Sequence, residues 1–143
     1  MPTLLETRIR NRFWVEPHHA NSLGTLHGGN LMMWLDEVGT MSATRFAGEP
    51  CVTASVTELD FERPLHVGDT ALVESYVYDA GETSAEVALR AWRENPRTAE
   101  TERTTASSFT FVAIDESGGT VTVPELRVET DEGEALRERA RSR

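Results

Sequence analysis

Apolar and polar residues alternate along much of the chain, and one long apolar stretch interrupts this alternation. Residues 28–48, GGNLMMWLDEVGTMSATRFAG, are too long and too continuously apolar for a strand, so they predict a buried helix that ends near Gly48. Residues 4–15 partly alternate and predict a first strand, and a turn-prone loop follows over residues 16–24. The first third of the chain therefore predicts one strand and one long helix.

After the helix the chain has the composition of a sheet. Four segments rich in Val, Thr, Tyr and Phe are separated by Gly, Pro and Asn turns: residues 52–61, 70–78, 84–93 and 104–114. The short breaks between them predict an antiparallel meander. A curved antiparallel sheet wrapped around the long helix would bury the apolar faces of both. The predicted fold class is α+β, with the sheet around a central helix.

The C-terminal end of the chain differs from this core. Residues 126–143 are dense in charge, and Leu136 is the only sizeable apolar residue after Val128, so the segment predicts a solvated terminal helix. The 143 residues contain no repeat, low-complexity tract or linker. We therefore expect a single domain over residues 1–143, with a core of about 5–125 and a charged tail at 126–143.

The charge balance limits the partners and the compartment. The chain has 24 Asp and Glu against 14 cationic residues, all of them Arg, for a net charge of −10. A field of this sign repels nucleic acid and anionic lipid, so we expect neither as a partner.

No apolar run approaches the roughly 20 residues of a membrane span, and the charged start lacks the apolar region of a signal peptide, which predicts a cytoplasmic protein.

The absence of lysine carries a second interpretation. An acidic, lysine-free surface resembles that of proteins from salt-loving microorganisms, whose carboxylates keep the surface hydrated in concentrated salt. A GC-rich genome would also replace Lys with Arg, but it does not by itself demand an acidic excess. We therefore favour a halophilic protein.

A glycine-containing loop leads into the predicted helix and is the first candidate for chemistry. Gly28 and Gly29 allow a ligand close to the backbone, and the N–H groups of a first helical turn have no partner inside the helix. With the helix dipole, such donors can stabilise an oxyanion or polarise a carbonyl. The alternative is a tight turn without further function. The loop lacks the lysine and the spacing of a phosphate-binding P-loop.

Two more polar features lie close by in the sequence. Asp36 stands inside the apolar helix, where a carboxylate is costly unless it is paired, so it is either a functional group or a residue on a locally exposed face. Asn21 and Thr25 precede the helix, and each can orient water or bind a carbonyl, or else close an Asx turn or cap a helix.

Other reactive residues do not form a recognisable site. Cys51 has no obvious partner and is interpreted as a small buried hydrophobe, and a single cysteine forms no internal disulfide. No G-x-S-x-G motif occurs, which argues against a serine hydrolase elbow. His18 and His19 are adjacent and lack the spacing of a helical zinc pair, so we predict no metal.

The ordered set of motifs resembles hotdog-fold acyl-CoA thioesterases, in particular the bacterial YciA-type enzymes and the cytosolic acyl-CoA hydrolases. The similarity covers roughly residues 5–125. It consists of Asn21-x-x-Gly24-Thr25-Leu26-His27-Gly28-Gly29, Leu31-Met32-Met33-Trp34-Leu35-Asp36-Glu37, Val52-Thr53-Ala54-Ser55-Val56, Asp60-Phe61-x-x-Pro64, Val67-Gly68-Asp69, Thr83-Ser84 and Phe109-x-Phe111-Val112-Ala113.

This resemblance implies a hotdog fold and the hydrolysis of acyl-CoA to a free acid and CoA, without metal or organic cofactor. The family's acidic residue falls on Asp36, as general base or nucleophile, and its carbonyl-polarising turn falls on Gly28 and Gly29. The polar position before that turn is Thr25, where relatives have Asn, Asp or Thr, and Asn21 becomes the alternative for activating water. The residues expected to bind substrate or CoA are His27, Ser55, Arg63, Thr83 and Ser84, with Arg63 adjoining the motif at residues 60–64.

The resemblance also implies self-association as a dimer and then as a hexamer (a trimer of dimers) or a tetramer. Helix geometry points the same way, because Asp36 lies about 10 Å along the axis from Gly29 and one thioester carbon must approach both groups. We therefore predict two composite sites at a homodimer interface. Alternatives are a non-catalytic acyl-CoA-sensing module and a hotdog acyl-CoA dehydratase. The dehydratase needs a histidine that no position near Asp36 supplies, and sensors of this fold carry a DNA-binding unit that the length and charge of the chain do not permit.

Overall fold

The computed structural model describes residues 1–142 and confirms the α+β architecture. Its elements, in chain order, are β1 (Ile9–Trp14), α1 (Gly28–Ala47), β2 (Cys51–Val56), β3 (Thr70–Ala80), β4 (Ser84–Glu94), β5 (Thr101–Ala113) and α2 (Asp131–Arg141). Short 3-10 turns at Leu5–Thr7 and Pro17–His19 flank β1. The predicted long helix is confirmed. It ends at Ala47 because Gly48 adopts the left-handed conformation (φ 70°) that caps helices.

The five strands form one antiparallel sheet in the order β1-β3-β4-β5-β2. Only β3, β4 and β5 follow one another as the predicted meander, since β1 and β2 lie at opposite edges of the sheet. The first strand is shorter than the predicted residues 4–15, because a 3-10 turn occupies its start. The second strand ends at Val56 rather than at residue 61, and the chain then runs beside β5 as an irregular loop that donates backbone hydrogen bonds to it.

Helix α1 packs along the concave face of the sheet. Gly39 makes this approach possible, since a Cβ there would lie 3.1 Å from the Phe111 ring and 3.2 Å from Leu89. A buried polar network fixes the helix further along its length. The Ser42 hydroxyl donates to the carbonyl of Thr7, and the Ser75 hydroxyl of β3 donates to the carbonyl of Val38. The helix is therefore held at a defined depth and register against the sheet.

The sheet does not cover α1 on all sides. Met32, Met33 and Met41 on the helix are between 42% and 49% exposed, and so are Val52 and Val56 on β2. β2 is an edge strand that pairs only with β5 among residues 1–142. Helix α1 and strand β2 together present an apolar surface, which we call the α1–β2 face. An apolar patch beside an unpaired strand edge is typical of a surface that another chain covers.

The C-terminal tail is more closely integrated than the sequence predicted. Helix α2 packs on the convex face of the sheet, where Leu136 and Ala140 are buried with Tyr76 and Leu4. The Tyr76 hydroxyl donates to the carbonyl of Leu136 over 2.8 Å. The prediction of a solvated helix missed this because only one face of α2 is apolar, and a short apolar stripe is weak evidence in a charged segment. No helix within residues 1–142 is long and apolar enough to cross a membrane.

Candidate active site

The N-terminus of α1 presents unpaired backbone donors. The N–H of Asn30 donates to the His27 carbonyl over 3.0 Å, which starts the helical pattern. The N–H groups of Gly28 and Gly29 make no hydrogen bond to any residue in the part of the chain that the structure describes. Because these donors lie at the positive end of the helix dipole, they can stabilise negative charge on a ligand oxygen.

The loop before the helix is shaped by Asn21. Its side-chain amide donates to the Thr25 hydroxyl over 2.8 Å, and its side-chain oxygen accepts from the N–H groups of Leu23 and Thr25. The backbone closes the same turn, with Asn21 N–H donating to the Thr25 carbonyl over 2.9 Å. Asn21 and Thr25 thus form the Asx-type turn that the sequence allowed as one alternative. Both side chains remain near the surface beside the start of α1.

A cavity of about 240 Å³ opens beside these donors. Its lining is mostly apolar and consists of Leu26, Gly28, Leu31, Phe61, Arg63, Pro64, Leu65 and Thr104. Phe61 lies over Gly28, where a Cβ would meet the aromatic ring at 3.1 Å, so a larger residue at position 28 would displace the ring. The glycine therefore keeps the helix terminus close to the wall of this cavity.

The carboxylate predicted to be functional lies elsewhere on α1. Asp36 is half-buried and faces β2, where the Thr53 hydroxyl donates a hydrogen bond to its Oδ1. Thr53 precedes a β-bulge, since Thr53 pairs with Phe111 and Ser55 pairs with Thr110, which leaves Ala54 as the extra residue. The carboxylate is thus fixed toward the α1–β2 face by a residue of the edge strand.

Within one chain the carboxylate and the helix N-terminus lie far apart. Gly29 and Asp36 are separated by seven residues of a single helix, or about 10 Å along its axis. The sheet gives the same result. Thr104 of β5 lines the cavity at the helix N-terminus, whereas Thr53 pairs with Phe111 of the same strand. Thr104 and Phe111 are seven residues apart, which is roughly 23 Å in an extended strand. One chain therefore holds the backbone donors and the carboxylate in two separate regions, which we call the two half-sites.

The predicted binding residues divide between these regions. His27 and Arg63 lie near the helix N-terminus, where Arg63 pairs with Glu102 over 3.1 Å. Thr83 and Ser84 lie at the opposite end of the sheet, because Ser84 pairs with Val112 near the end of β5. Ser55 is exposed on the edge strand β2, close to the Asp36 half-site. A single chain does not bring these residues together.

The free cysteine and one group of possible metal ligands can be judged from their surroundings. Cys51 is half-buried against the core, and burial raises the pKa of its thiol, which disfavours the thiolate that a nucleophile would need. Glu16, His18 and His19 bring ligand atoms within 4.8 Å of one another. However, Nδ1 of His19 accepts a hydrogen bond from the Glu16 N–H over 3.0 Å, so the neutral ring carries its proton on Nε2. The Nδ1 lone pair of His19 thus accepts a backbone hydrogen bond in this turn.

Two polar residues of the half-sites were not among the residues predicted from the sequence. Thr53 lies inside the strand motif at residues 52–56, but a threonine in a strand is ordinary, and only its position opposite Asp36 distinguishes it. The sequence places Thr104 in a strand and gives no indication of the cavity that it lines, because the residues of that cavity are far apart in the sequence. No sequence signal pointed to either residue.

The fold agrees with comparisons to known proteins. Residues 23–100 match the family model described as the thioesterase superfamily, and the chain belongs to this superfamily. The acyl-CoA thioester hydrolase YkhA of Bacillus subtilis, described as uncharacterized, is 37% identical over 127 residues, which cover 89% of this chain and 74% of that protein. The structure of a hexameric acyl-CoA thioesterase superposes with a TM-score of 0.89 at 36% identity, covering 98% of this chain and 90% of the other.

A third relative adds information on individual residues. The acyl-CoA hydrolase of Staphylococcus aureus, solved with butyryl-CoA, CoA and CoA disulfide, superposes with a TM-score of 0.88 at 29% identity and covers 98% of this chain and 85% of its own. Three further structures of that enzyme carry single alanine substitutions of an asparagine, an aspartate and a threonine. These residues are spaced by fifteen and then seventeen positions, as are Asn21, Asp36 and Thr53 in this chain.

Proposed function

We propose that this protein is an enzyme that hydrolyses acyl-CoA thioesters to a carboxylic acid and CoA at a composite site between two protomers. The observation that carries the proposal is the Asp36–Thr53 pair. The pair holds a carboxylate at the α1–β2 face. Along the sequence, Asn21, Asp36 and Thr53 have the same spacing as the three residues substituted in the Staphylococcus aureus hydrolase. Membership of the thioesterase superfamily supports the same reaction.

Asp36 acts as general base or nucleophile in this proposal. As a base, its carboxylate accepts a proton from water while the water oxygen bonds to the thioester carbonyl carbon. The carbonyl oxygen becomes an oxyanion that accepts hydrogen bonds from the N–H groups of Gly28 and Gly29. The carbon–sulfur bond then breaks, and the proton passes to the sulfur of CoA. This reaction needs no metal or organic cofactor, and Thr53 acts as a positioning residue for the carboxylate.

The two half-sites require a second protomer. One carbonyl carbon must lie near both the oxyanion donors and the attacking group, yet Gly29 and Asp36 are about 10 Å apart along the helix that contains them. A two-fold axis that sets two α1 helices antiparallel would place Asp36 of one chain opposite the glycines of the other. It would also bring Ser84, at the far end of the sheet, toward the partner's helix N-terminus.

The α1–β2 face is the proposed interface. It combines exposed Met32, Met33, Met41, Val52 and Val56 with the unpaired edge of β2. Burying this face would cover the apolar surface and enclose Asp36 in the same step. We propose that the dimers assemble further, as a trimer of dimers or as a tetramer. A hexameric acyl-CoA thioesterase among the structural relatives supports the first arrangement.

Substrate contacts are assigned by position. Asn21 and Thr25 would support the loop that carries His27 to the substrate, and Asn21 keeps one amide hydrogen available to orient water. Arg63 stands at the cavity, where its ion pair with Glu102 is about half exposed and weak enough for a phosphate to replace the carboxylate. Ser55, Thr83 and Ser84 are expected to contact CoA from the partner chain.

The two alternative functions make different demands. A dehydratase needs a histidine beside the carboxylate, and Asp36 is hydrogen-bonded by a threonine. An acyl-CoA sensor needs no fixed carboxylate and would release no CoA. Measurement of free thiol after addition of acyl-CoA separates these functions, since only a hydrolase releases CoA in amounts that exceed the enzyme many times.

We further propose a cytoplasmic, halophilic enzyme of fatty acid metabolism, because acyl-CoA is a charged intracellular metabolite and the chain carries a net charge of −10 without lysine.

The first prediction follows from that charge. Self-repulsion among the carboxylates is screened as salt rises, so the melting temperature and the activity should increase from low to molar KCl. A melting temperature that stays level or falls over this range would contradict the halophilic interpretation.

The second prediction concerns Asp36. Asp36→Asn keeps the shape of the side chain but removes the charge that attacks or accepts a proton. We expect kcat to fall by roughly 100-fold or more in acyl-CoA hydrolysis while the unfolding temperature stays close to that of the wild type. Glu37→Gln, one residue away on an exposed position, is the matched control and should keep its activity. Near-normal turnover by folded Asp36→Asn would refute the assignment.

The third prediction tests Thr53 as the positioning residue. Thr53→Val removes the hydroxyl that donates to Asp36 and preserves the β-branched shape. We expect kcat to fall about tenfold, the scale of one lost hydrogen bond, with a much smaller change in KM. Thr53→Ser should restore most of the rate, whereas a purely structural role would make Ser no better than Val.

A further inference from the structure

The start of α1 lacks the side-chain cap that most helices carry. His27 occupies the N-cap position with an extended backbone (φ −63°, ψ 130°), yet within residues 1–142 its side chain accepts no hydrogen bond from the first turn. Ser, Thr, Asp or Asn is strongly preferred at this position, because its side-chain oxygen accepts from the N–H of the second or third helical residue. These residues are Gly29 and Asn30, and the N–H of Asn30 already donates to the His27 carbonyl. A capping oxygen would therefore bind the N–H of Gly29.

A different contact anchors this first turn. Nδ2 of Asn30 donates to the carbonyl of His19 over 2.8 Å, and the N–H of His27 donates to the same carbonyl over 2.9 Å. A carbonyl oxygen can accept both bonds, because it has two lone pairs. The residues on either side of Gly28 and Gly29 are thus tied to one oxygen atom. The side chain of Asn30 fixes the turn without using any of its backbone donors.

The acceptor of this contact is itself held in place. The N–H of His19 donates to the Glu16 carbonyl over 2.9 Å, and the Nδ1 atom of His19 accepts from the Glu16 N–H over 3.0 Å. The ring of His19 packs edge-on against Trp34, with ring centroids 4.9 Å apart, and Trp34 stacks on Phe13 of β1 at 4.8 Å. Trp34 is buried one helical turn after Asn30. Asn30 therefore ties the turn to a packed layer between α1 and β1.

We propose that Asn30 is a positioning residue for the hydrolysis, and that it anchors the first turn of α1 in place of an N-cap. The N–H groups of Gly28 and Gly29 then stay both free and fixed in direction for the thioester oxygen. The inference rests on the proposed hydrolase function, in which these donors stabilise the oxyanion. An ordinary cap would also anchor the turn, but its oxygen would occupy an N–H that the substrate needs.

The first comparison removes the anchor. Oxyanion donors must lie about 2.7–3.1 Å from the oxygen of the transition state, so a loosened turn should affect kcat more than KM. Asn30→Leu keeps the approximate shape and removes the donor. We expect kcat to fall roughly tenfold, with KM changed by less than about twofold.

Arg45→Leu is the matched control for this comparison. Its guanidinium donates to the carbonyl of Glu6 over 3.3 Å, and so ties the opposite end of α1 to the 3-10 turn at Leu5–Thr7. Both variants lose one bond between a side chain of α1 and the backbone of a 3-10 turn, but only Asn30 lies beside the proposed oxyanion donors. Arg45→Leu should therefore keep the kcat of the wild type.

The second comparison supplies a cap. His27→Ser and His27→Ala both remove the imidazole, but only serine adds an oxygen that can accept from the N–H of Gly29. Relative to His27→Ala, His27→Ser should raise the melting temperature by roughly 2–5 °C. It should also lower kcat/KM roughly 2- to 30-fold, because the substrate oxygen must displace the cap. A purely structural role of this turn would not make the more stable variant the less active one.

The measurements are CoA release from acetyl-, butyryl- and palmitoyl-CoA, together with thermal unfolding of every variant. The inference is overturned if folded Asn30→Leu keeps the kcat of the wild type, or if Arg45→Leu loses as much. It is also overturned if His27→Ser is at least as active as His27→Ala, a result that decides the question even where Asn30→Leu does not fold. In each of these cases hydrolysis by the wild type leaves the proposed function standing. A wild type that releases no CoA from any of the three thioesters refutes the proposed function and this inference together.

Discussion

The arrangement of the site depends on one constraint, the rigidity of α1. This helix carries unpaired backbone N–H donors at its first residues and a carboxylate seven residues later, and a helix cannot fold back to bring the two together. Its depth against the sheet is fixed by Gly39 and by the Ser42 and Ser75 hydrogen bonds. The exposed α1–β2 face and the separated half-sites are both explained if a second copy completes what one helix cannot.

Charge poses a second constraint, because an acidic protein must bind an anionic substrate. The arginines near the site are held in exposed or half-exposed pairs, and Glu102 is shared by Arg63 and Arg93 at 3.1 and 2.9 Å. Such pairs contribute little to stability in water. In the proposed function a phosphate exchanges with the carboxylate at small cost, which would give the site local positive charge without a basic surface. By contrast, Arg8 and Arg139 converge on the buried Glu74 under α2 and serve the fold.

The sequence predicted the elements better than it predicted their surroundings. The end of α1 at Gly48 and the three central strands could be predicted because local backbone and side-chain preferences determine them. The exposure of Val52 and Val56 could not, since β-branched residues look alike in a core strand and in an edge strand that awaits a partner. Asp36 stood out as a carboxylate among apolar residues. Thr53 did not, because only its tertiary contact with Asp36 distinguishes it from other strand threonines.

The most direct test of a composite site is complementation between two inactive variants. Asp36→Ala removes the carboxylate, and Gly28→Val places a side chain against Phe61 beside the oxyanion donors. Random pairing after co-refolding gives about half heterodimers, and each would contain one intact site of two, so about a quarter of wild-type activity should return. If the mixture stays as inactive as its components while heterodimers are demonstrably present, each site lies within a single chain and the account is wrong.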